Sequence, residues 1–462
     1  VTKVRFGWWW EAVCLFTFFA LAGWQLFLRP ITGLADNGDF PKVLGQLDIC
    51  SNAPEPRWFK YVNSPYSIGP ECDWDSQLIS SEAILAEGIK QSAELRGKQS
   101  FSIQWAGGAH LAIVLGAFAI LLWGLRESPP LVRYSLPPLA IFIFSDVAYV
   151  SYLNSFYMDA ASFVFLLLTI ALAVAAFLRP RWWVEMALGL AAVLLVTSKT
   201  QHAILGIPLA LLAVYAGRRN RRWFVSAIVT LAATIAMFAL TTAEYKAYPL
   251  NNLIFYRLLP ESTDRAPLIS ALGLSHDDLL LEGTHSYSPN APVQDPKWRD
   301  AFVKRESFGK IALYYLHNPS VPLQMLFHDL RDSAPWIRSA ELGNYRRKDG
   351  FAPGTLARRF AWWSDVRAWA MRVFPEYVVL LYAFAGIFSL ACCFRKSLAA
   401  RWPLYPLVLM LVVSGVVEFC FSSLADCLET ERHLFIFQVI TEMVILFALA
   451  GIVRLLPERK PL

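Results

Sequence analysis

The chain has 462 residues, 56% of them hydrophobic and 17% charged, with a formal net charge of +6 and a mean hydropathy of +0.42. Soluble domains carry roughly a quarter charged residues, so this apolar surplus excludes an ordinary water-soluble globule. The basic residues sit in short turns between apolar runs, a distribution that encodes membrane orientation and gives no nucleic-acid-binding surface.

About 20 apolar residues cross a hydrocarbon core. In chain order, such runs predict ten transmembrane helices, at 8–28, 101–125, 134–153, 159–178, 182–198, 202–217, 223–242, 376–394, 402–423 and 433–454. The first follows Lys3 and Arg5. It is longer than the apolar region of a signal peptide and has no clear cleavage site, so it reads as an uncleaved helix. The basic clusters then alternate with parity. Lys3 and Arg5, Arg126 and Arg133, Arg179 and Arg181, Arg218 to Arg222, Arg395 to Arg401, and Arg454 to Lys460 all fall on one side. The positive-inside bias makes that side cytoplasmic and places both termini there.

The expectation is an all-α polytopic membrane protein with two long extracytoplasmic loops, 29–100 and 243–375. Three units follow: 1–242 with the first loop, 243–375 as a lobe, and 376–462 as the C-terminal helices. Within Thr355 to Phe374, Leu356, Phe360, Trp363, Val366 and Phe374 fall near one helical face among Arg358, Arg359, Arg367 and Arg372. That pattern fits an interfacial amphipathic helix as well as a helix packed on the lobe. No internal repeat is visible, which removes the usual sequence support for an inverted-repeat transporter.

Cys50 and Cys72 share the first outer loop, where a disulfide persists. Cys420 and Cys427 flank the outer end of the ninth helix and form a second, weaker candidate pair. Cys14, Cys392 and Cys393 read as core residues.

Charge at membrane depth is costly and tends to be functional, and here the polar groups cluster at the outer helix ends. Asp36 and Asp39 lie three apart in Asp-Asn-Gly-Asp-Phe, with Gly38 permitting a tight turn. They suit a base or a cation ligand, although the same residues also make good turns. Asp146 falls about 10 Å below the outer surface at 1.5 Å per residue. Asn154, Ser155, Tyr157 and Asp159 form the next outer turn, where capping and complementing the helix dipole are alternative roles. Lys199, Gln201 and His202 form a third polar turn. A lone outer lysine runs against the orientation bias and invites a phosphate, unless it snorkels. Glu429, Arg432 and His433 precede the last helix; Arg432 is the better phosphate fork or else an ion pair with Glu429 or Asp426. Glu442 and His110 are explained at least as well as buried, paired structural groups.

With its acidic first outer loop, its Asn-Ser-Phe-Tyr turn at 154–157, Lys-x-Gln-His at 199–202 and Glu-x-x-Arg-His at 429–433, the chain resembles the GT-C membrane glycosyltransferases. The Asp-Asn-Gly-Asp-Phe and Glu-Arg-His-Leu-Phe segments look closest to bacterial hexose transferases of cell-surface glycan assembly. The resemblance implies an integral protein of the bacterial inner membrane with its active site on the extracytoplasmic side. It implies a polyprenyl-phosphate-linked sugar as donor, a glycan, lipid or protein acceptor, and contact with membrane lipid but not nucleic acid. It also implies an acidic base in the first outer loop, which falls on Asp39 with Asp36 its rival. Arg432, Lys199 and His433 are the candidate cations for the donor phosphate. Asp146, Asn154, Tyr157, Asp159, Gln201, His202 and Glu429 are the candidate substrate-binding residues. A divalent cation, Mg or Mn, held by Asp36 and Asp39 is a further expectation. A lipid-linked-sugar transporter or flippase, and an oligosaccharide ligase or polymerase, are the alternative readings.

Overall fold

The computed structural model describes residues 2–52, 60–69, 78–218, 220–262, 264–395 and 402–454, with side chains from residue 7 onward. Among them, eight helices are long and apolar enough to cross a bilayer: Gly7–Phe27, Gln104–Leu125, Met158–Leu178, Thr200–Gly217, Arg222–Ala239, Tyr377–Phe394, Tyr405–Leu424 and Phe435–Val453. Two of the ten expected spans differ. Trp182–Val196 has only 15 residues, about 22 Å at 1.5 Å per residue, which is short of a typical hydrocarbon core. The expected helix 134–153 is broken into Pro130–Phe144 and Val147–Leu153, which meet at 70°.

Local chemistry accounts for the break. Asp146 has extended backbone and caps the second arm. Its Oδ1 accepts from the Ala148 N–H at 2.9 Å, and its Oδ2 accepts from the Ser364 N–H at 2.9 Å. Gln25 donates to the Ser145 carbonyl at 2.8 Å, so a backbone acceptor at the corner is also satisfied. An interrupted helix survives at membrane depth only where such partners exist.

Met158–Leu178 and Phe435–Val453 are the most enclosed spans, each 78% buried over its most apolar stretch, and they form the centre of the bundle. At one end, basic turns are tied together. Glu11 accepts from Arg126 and Arg133, Arg179 pairs with Glu127 at 2.9 Å, and Asn220 donates to Glu185 at 2.8 Å. The basic residues of 396–401 and 455–462 lie outside the described residues.

The two long segments fold against the other end. The first carries a small antiparallel sheet that the all-α expectation did not include: Ile49–Ser51, Tyr66–Ile68 and Ser100–Phe101, with Ile49 opposite Ile68 and Tyr66 opposite Phe101. It also carries the helix Ser81–Glu94, capped by Ser80. The second segment is helical. It has its own core around Leu250, Phe255, Leu268, Phe302 and Met325, whereas Ile337, Leu342 and Met371 join the main core.

Its last helix, Trp362–Val373, exposes Trp362, Val366, Trp369 and Val373, a single stripe at spacings of four, three and four. The stripe differs from the face expected from sequence, because the helix begins only at Trp362 and leaves Leu356 and Phe360 ahead of it. Arg367 faces inward, 2.9 Å from Glu442, and Tyr149 donates to the same carboxylate at 3.1 Å. His110 sits 3.1 Å from Glu82. Both of these ambiguous groups are paired inside the fold.

Cys50 is disulfide-bonded; Cys72, the partner expected from sequence, lies outside the described residues. Cys420 and Cys427 are free thiols, so the second expected pair is not formed. Non-reducing mass mapping is therefore expected to find Cys50 oxidised and both Cys420 and Cys427 alkylated. A peptide linking Cys420 to Cys427 would contradict this.

Candidate active site

The turn after the first helix is shaped by its own side chains. Asp36 Oδ1 accepts from the Gly38 N–H at 2.7 Å and the Phe40 N–H at 3.2 Å, and Asn37 Oδ1 accepts from the Asp39 N–H at 3.1 Å. Gly38 has φ +101, a conformation that needs glycine. Asp39 stands at the N-cap of Phe40–Leu44, but its side chain caps nothing. Its carboxylate is turned instead toward two cations. Lys42 Nζ donates to Oδ1 at 2.5 Å, and Arg432 Nη1 lies 2.7 Å from Oδ2.

Arg432 connects this loop to the bundle. Its Nε and Nη2 lie 2.9 and 2.8 Å from Glu429 Oε2, and its Nη1 lies 3.4 Å from Asp159 Oδ2. Its guanidinium carbon sits 5.0 Å from the Tyr157 ring centre. Glu429 has φ +53, a strained conformation for a side chain of this kind, and such strain tends to collect at functional sites. Asn37 fixes it, donating to the same Oε2 at 2.6 Å. The Tyr157 hydroxyl donates to the Ala35 carbonyl at 2.8 Å and accepts from the Asn37 N–H at 3.0 Å.

From Asp159 the network runs on into the bundle. Lys199 donates to both of its oxygens, at 3.0 and 3.2 Å. His202 Nε2 lies 3.1 Å from Asp159 Oδ1, and its Nδ1 lies 2.7 Å from Glu418. Gln201 donates to Ser422 Oγ at 2.8 Å and to the His433 carbonyl at 2.9 Å, while its Oε1 lies 2.7 Å from His433 Nδ1. Buried charge is tolerated when it is paired throughout in this way.

Electrostatics sort the members outside the spans. Burial alone would push the Asp39 carboxyl up, but the Lys42 and Arg432 charges overcome it and hold the group well below the ordinary carboxylate range. Burial opposes the charge on Arg432, but Asp39, Glu429 and Asp159 keep it firmly protonated. Burial, then Lys199 and Arg432, push the His433 imidazole well below its ordinary value. His433 is therefore neutral at pH 7 and corrects the expectation of a phosphate-binding cation; with Gln201 it forms a neutral lock.

The structure thus brings together Asp39, Tyr157, Asp159, Lys199, Gln201, His202, Glu429, Arg432 and His433. It does not bring in Asp146, which caps the broken helix. Nor does it bring in Asn154, whose amide donates to the Leu26 and Thr32 carbonyls at 3.1 and 2.7 Å and ties the first helix to the turn. Asp36 builds the loop that presents Asp39. The expected Asp36–Asp39 cation site does not fit either. Each Asp39 oxygen already faces a cationic nitrogen, and among the described residues no group of three or more His, Cys, Asp or Glu side chains is placed to hold a metal.

Sequence reasoning missed Lys42, Asn37 and Glu418. Lys42 was visible as an i, i+3 partner of Asp39. Glu418 was visible as a lone acid within an apolar helix. Near the cluster lies a small recess lined by Met158, Thr200, Met237, Leu240 and Tyr245. Residues 9–460 match the family model described as the YfdI N-terminal transmembrane domain, and no curated protein matches the chain.

Proposed function

Because the chain belongs to the YfdI N-terminal transmembrane domain family, a family of integral membrane proteins, we propose that it is a membrane glycosyltransferase of GT-C type. In this reading it transfers a hexose from a polyprenyl phosphate to an acceptor hydroxyl, with inversion, on the extracytoplasmic side of the bacterial inner membrane. The observation that carries the proposal is a single loop carboxylate, Asp39, set against Arg432 and Lys42 at the bundle end, with Lys199 one residue further along the network.

Inverting transfer needs one base on the face opposite the leaving group, unlike hydrolysis by paired carboxylates. Asp39 takes the proton of the acceptor hydroxyl as its oxygen bonds to the anomeric carbon. The bond from that carbon to the phosphate oxygen breaks, and its electron pair leaves with the phosphate. Negative charge grows on the leaving group, so preorganised cations lower the barrier; Arg432 and Lys42 supply them, and Lys199 adds its field through Asp159. The parity of the basic turns supports the sidedness.

Reconstitution in liposomes with a radiolabelled hexosyl polyprenyl phosphate and a lipid-linked glycan acceptor tests the reading. Label is expected to appear in the acceptor with the opposite anomeric configuration. Movement of intact donor between leaflets without transfer would replace the enzyme by a flippase.

A further inference from the structure

We infer that in the donor-free protein Asp39 occupies the place of the donor phosphate on the cation clamp, so that arrival of the donor is what releases the base. The inference rests on the transferase reading and adds an order of events to it.

Geometry carries the first step. The Arg432 guanidinium is anchored through Nε and Nη2 by Glu429, which Asn37 holds in turn. Only the Nη1 edge, 2.7 Å from Asp39 Oδ2, faces the loop carboxylate. The other Asp39 oxygen takes Lys42. A phosphodiester offers the same charge and the same pair of anionic oxygens as a carboxylate. It can replace Asp39 at Nη1 and Lys42 while Glu429 keeps the guanidinium in position.

Exposure says where the exchange happens. The Lys42 and Asp39 side chains are 23% and 12% exposed, against 3% and 0% for Lys199 and Asp159. The Asp39–Lys42 pair is therefore the open end of the network and Asp159–Lys199 its closed end.

Chemistry supplies the consequence. A carboxylate between two cations has little affinity for a proton, so the resting Asp39 is a poor base. Once phosphate takes both cations, burial and a neighbouring anion act in the opposite direction and move its proton affinity toward the range useful for catalysis. The base is switched on by the substrate whose leaving group it serves, and the donor must bind before the acceptor is activated.

The test is a binding measurement that needs no turnover. Undecaprenyl phosphate in nanodiscs and inorganic phosphate in buffer are titrated against the wild type and Asp39→Asn, with thermal melting as the folding check. Asp39→Asn removes the competitor and is expected to bind undecaprenyl phosphate about tenfold more tightly, on the scale of one charge-assisted hydrogen bond. Lys42→Gln is expected to bind it about tenfold more weakly, and this variant decides the matter if Asp39→Asn does not fold. Unchanged or weaker binding by folded Asp39→Asn overturns the inference, as does tightening for inorganic phosphate alone or no binding by any of the proteins. Transfer by the wild type without the tightening leaves the transferase reading standing and removes the displacement. Tightening without transfer does the reverse.

Discussion

Asp39→Asn is expected to lower the rate of hexose transfer by about 10²–10⁴-fold, the usual contribution of a positioned base. The amide keeps the size of the side chain and can still accept from Lys42, but it cannot take a proton from the acceptor at neutral pH. Because the substitution leaves Arg432 held by Glu429 and Asp159 and removes the carboxylate that competes for it, the loss should fall on turnover while donor binding tightens. Single-turnover rates with preloaded donor measure this directly. Turnover near that of the wild type would remove Asp39 from the chemistry. Asp36→Asn separates the two acids of the loop. Asp36 accepts from two backbone N–H groups of the turn, so its replacement should lower stability, turnover and donor affinity together, whereas Asp39→Asn, which also lowers the melting temperature by taking a charge from Lys42 and Arg432, should cost turnover without costing donor affinity.

Arg432→Lys is the second large effect. Lysine keeps the charge but loses the planar fork, and Arg432 uses three nitrogens on three different carboxylates. An ammonium cannot reach Asp39, Glu429 and Asp159 in that arrangement. Donor affinity is expected to fall about tenfold to hundredfold, the scale of a charge-assisted hydrogen bond at roughly 1.5–3 kcal/mol. Arg432→Ala should go further and destabilise the fold by about 3–5 kcal/mol, because it strips a shared cation from buried acids. A purely structural arginine predicts lowered melting with unchanged donor affinity in the surviving folded Arg432→Lys protein. Measuring affinity and melting on the same sample distinguishes the two.

Most of the bundle was legible in the sequence because the bilayer demands long apolar runs, and such runs stand out residue by residue. The four polar turns were legible for the complementary reason: charge at the end of an apolar helix is conspicuous. What escaped depended on pairing across the chain. Nothing near Asp146 announces that Gln25 and Ser364 stand ready to satisfy a broken helix, so a continuous span was expected there. His433 follows Arg432 in sequence and reads as a second cation, yet that same neighbour, with Lys199 and burial, keeps it neutral. The lobe helices are short and mixed in composition. Their own core around Phe255 and Phe302 emerges only once segments far apart in sequence are brought together.

The stripe of Trp362, Val366, Trp369 and Val373 has a bearing on which acceptors can be served. It runs along the outside of a helix whose inner side is pinned by Arg367 to Glu442 of the last span, and the segment just before it reaches the end of the first helix, where Arg359 donates to the Pro30 carbonyl at 2.9 Å. If two tryptophans and two valines on one such face settle at headgroup depth, the helix would work as a float whose tether is short. Such a float would fix the height of Asp39 above the bilayer. In the transferase reading, an acceptor hydroxyl would then meet that carboxylate only if it were presented within reach of the membrane surface. Substrate choice would then be set partly by altitude, with lipid-anchored glycans favoured near their anchored end and freely diffusing sugars at a disadvantage however well they fit the pocket.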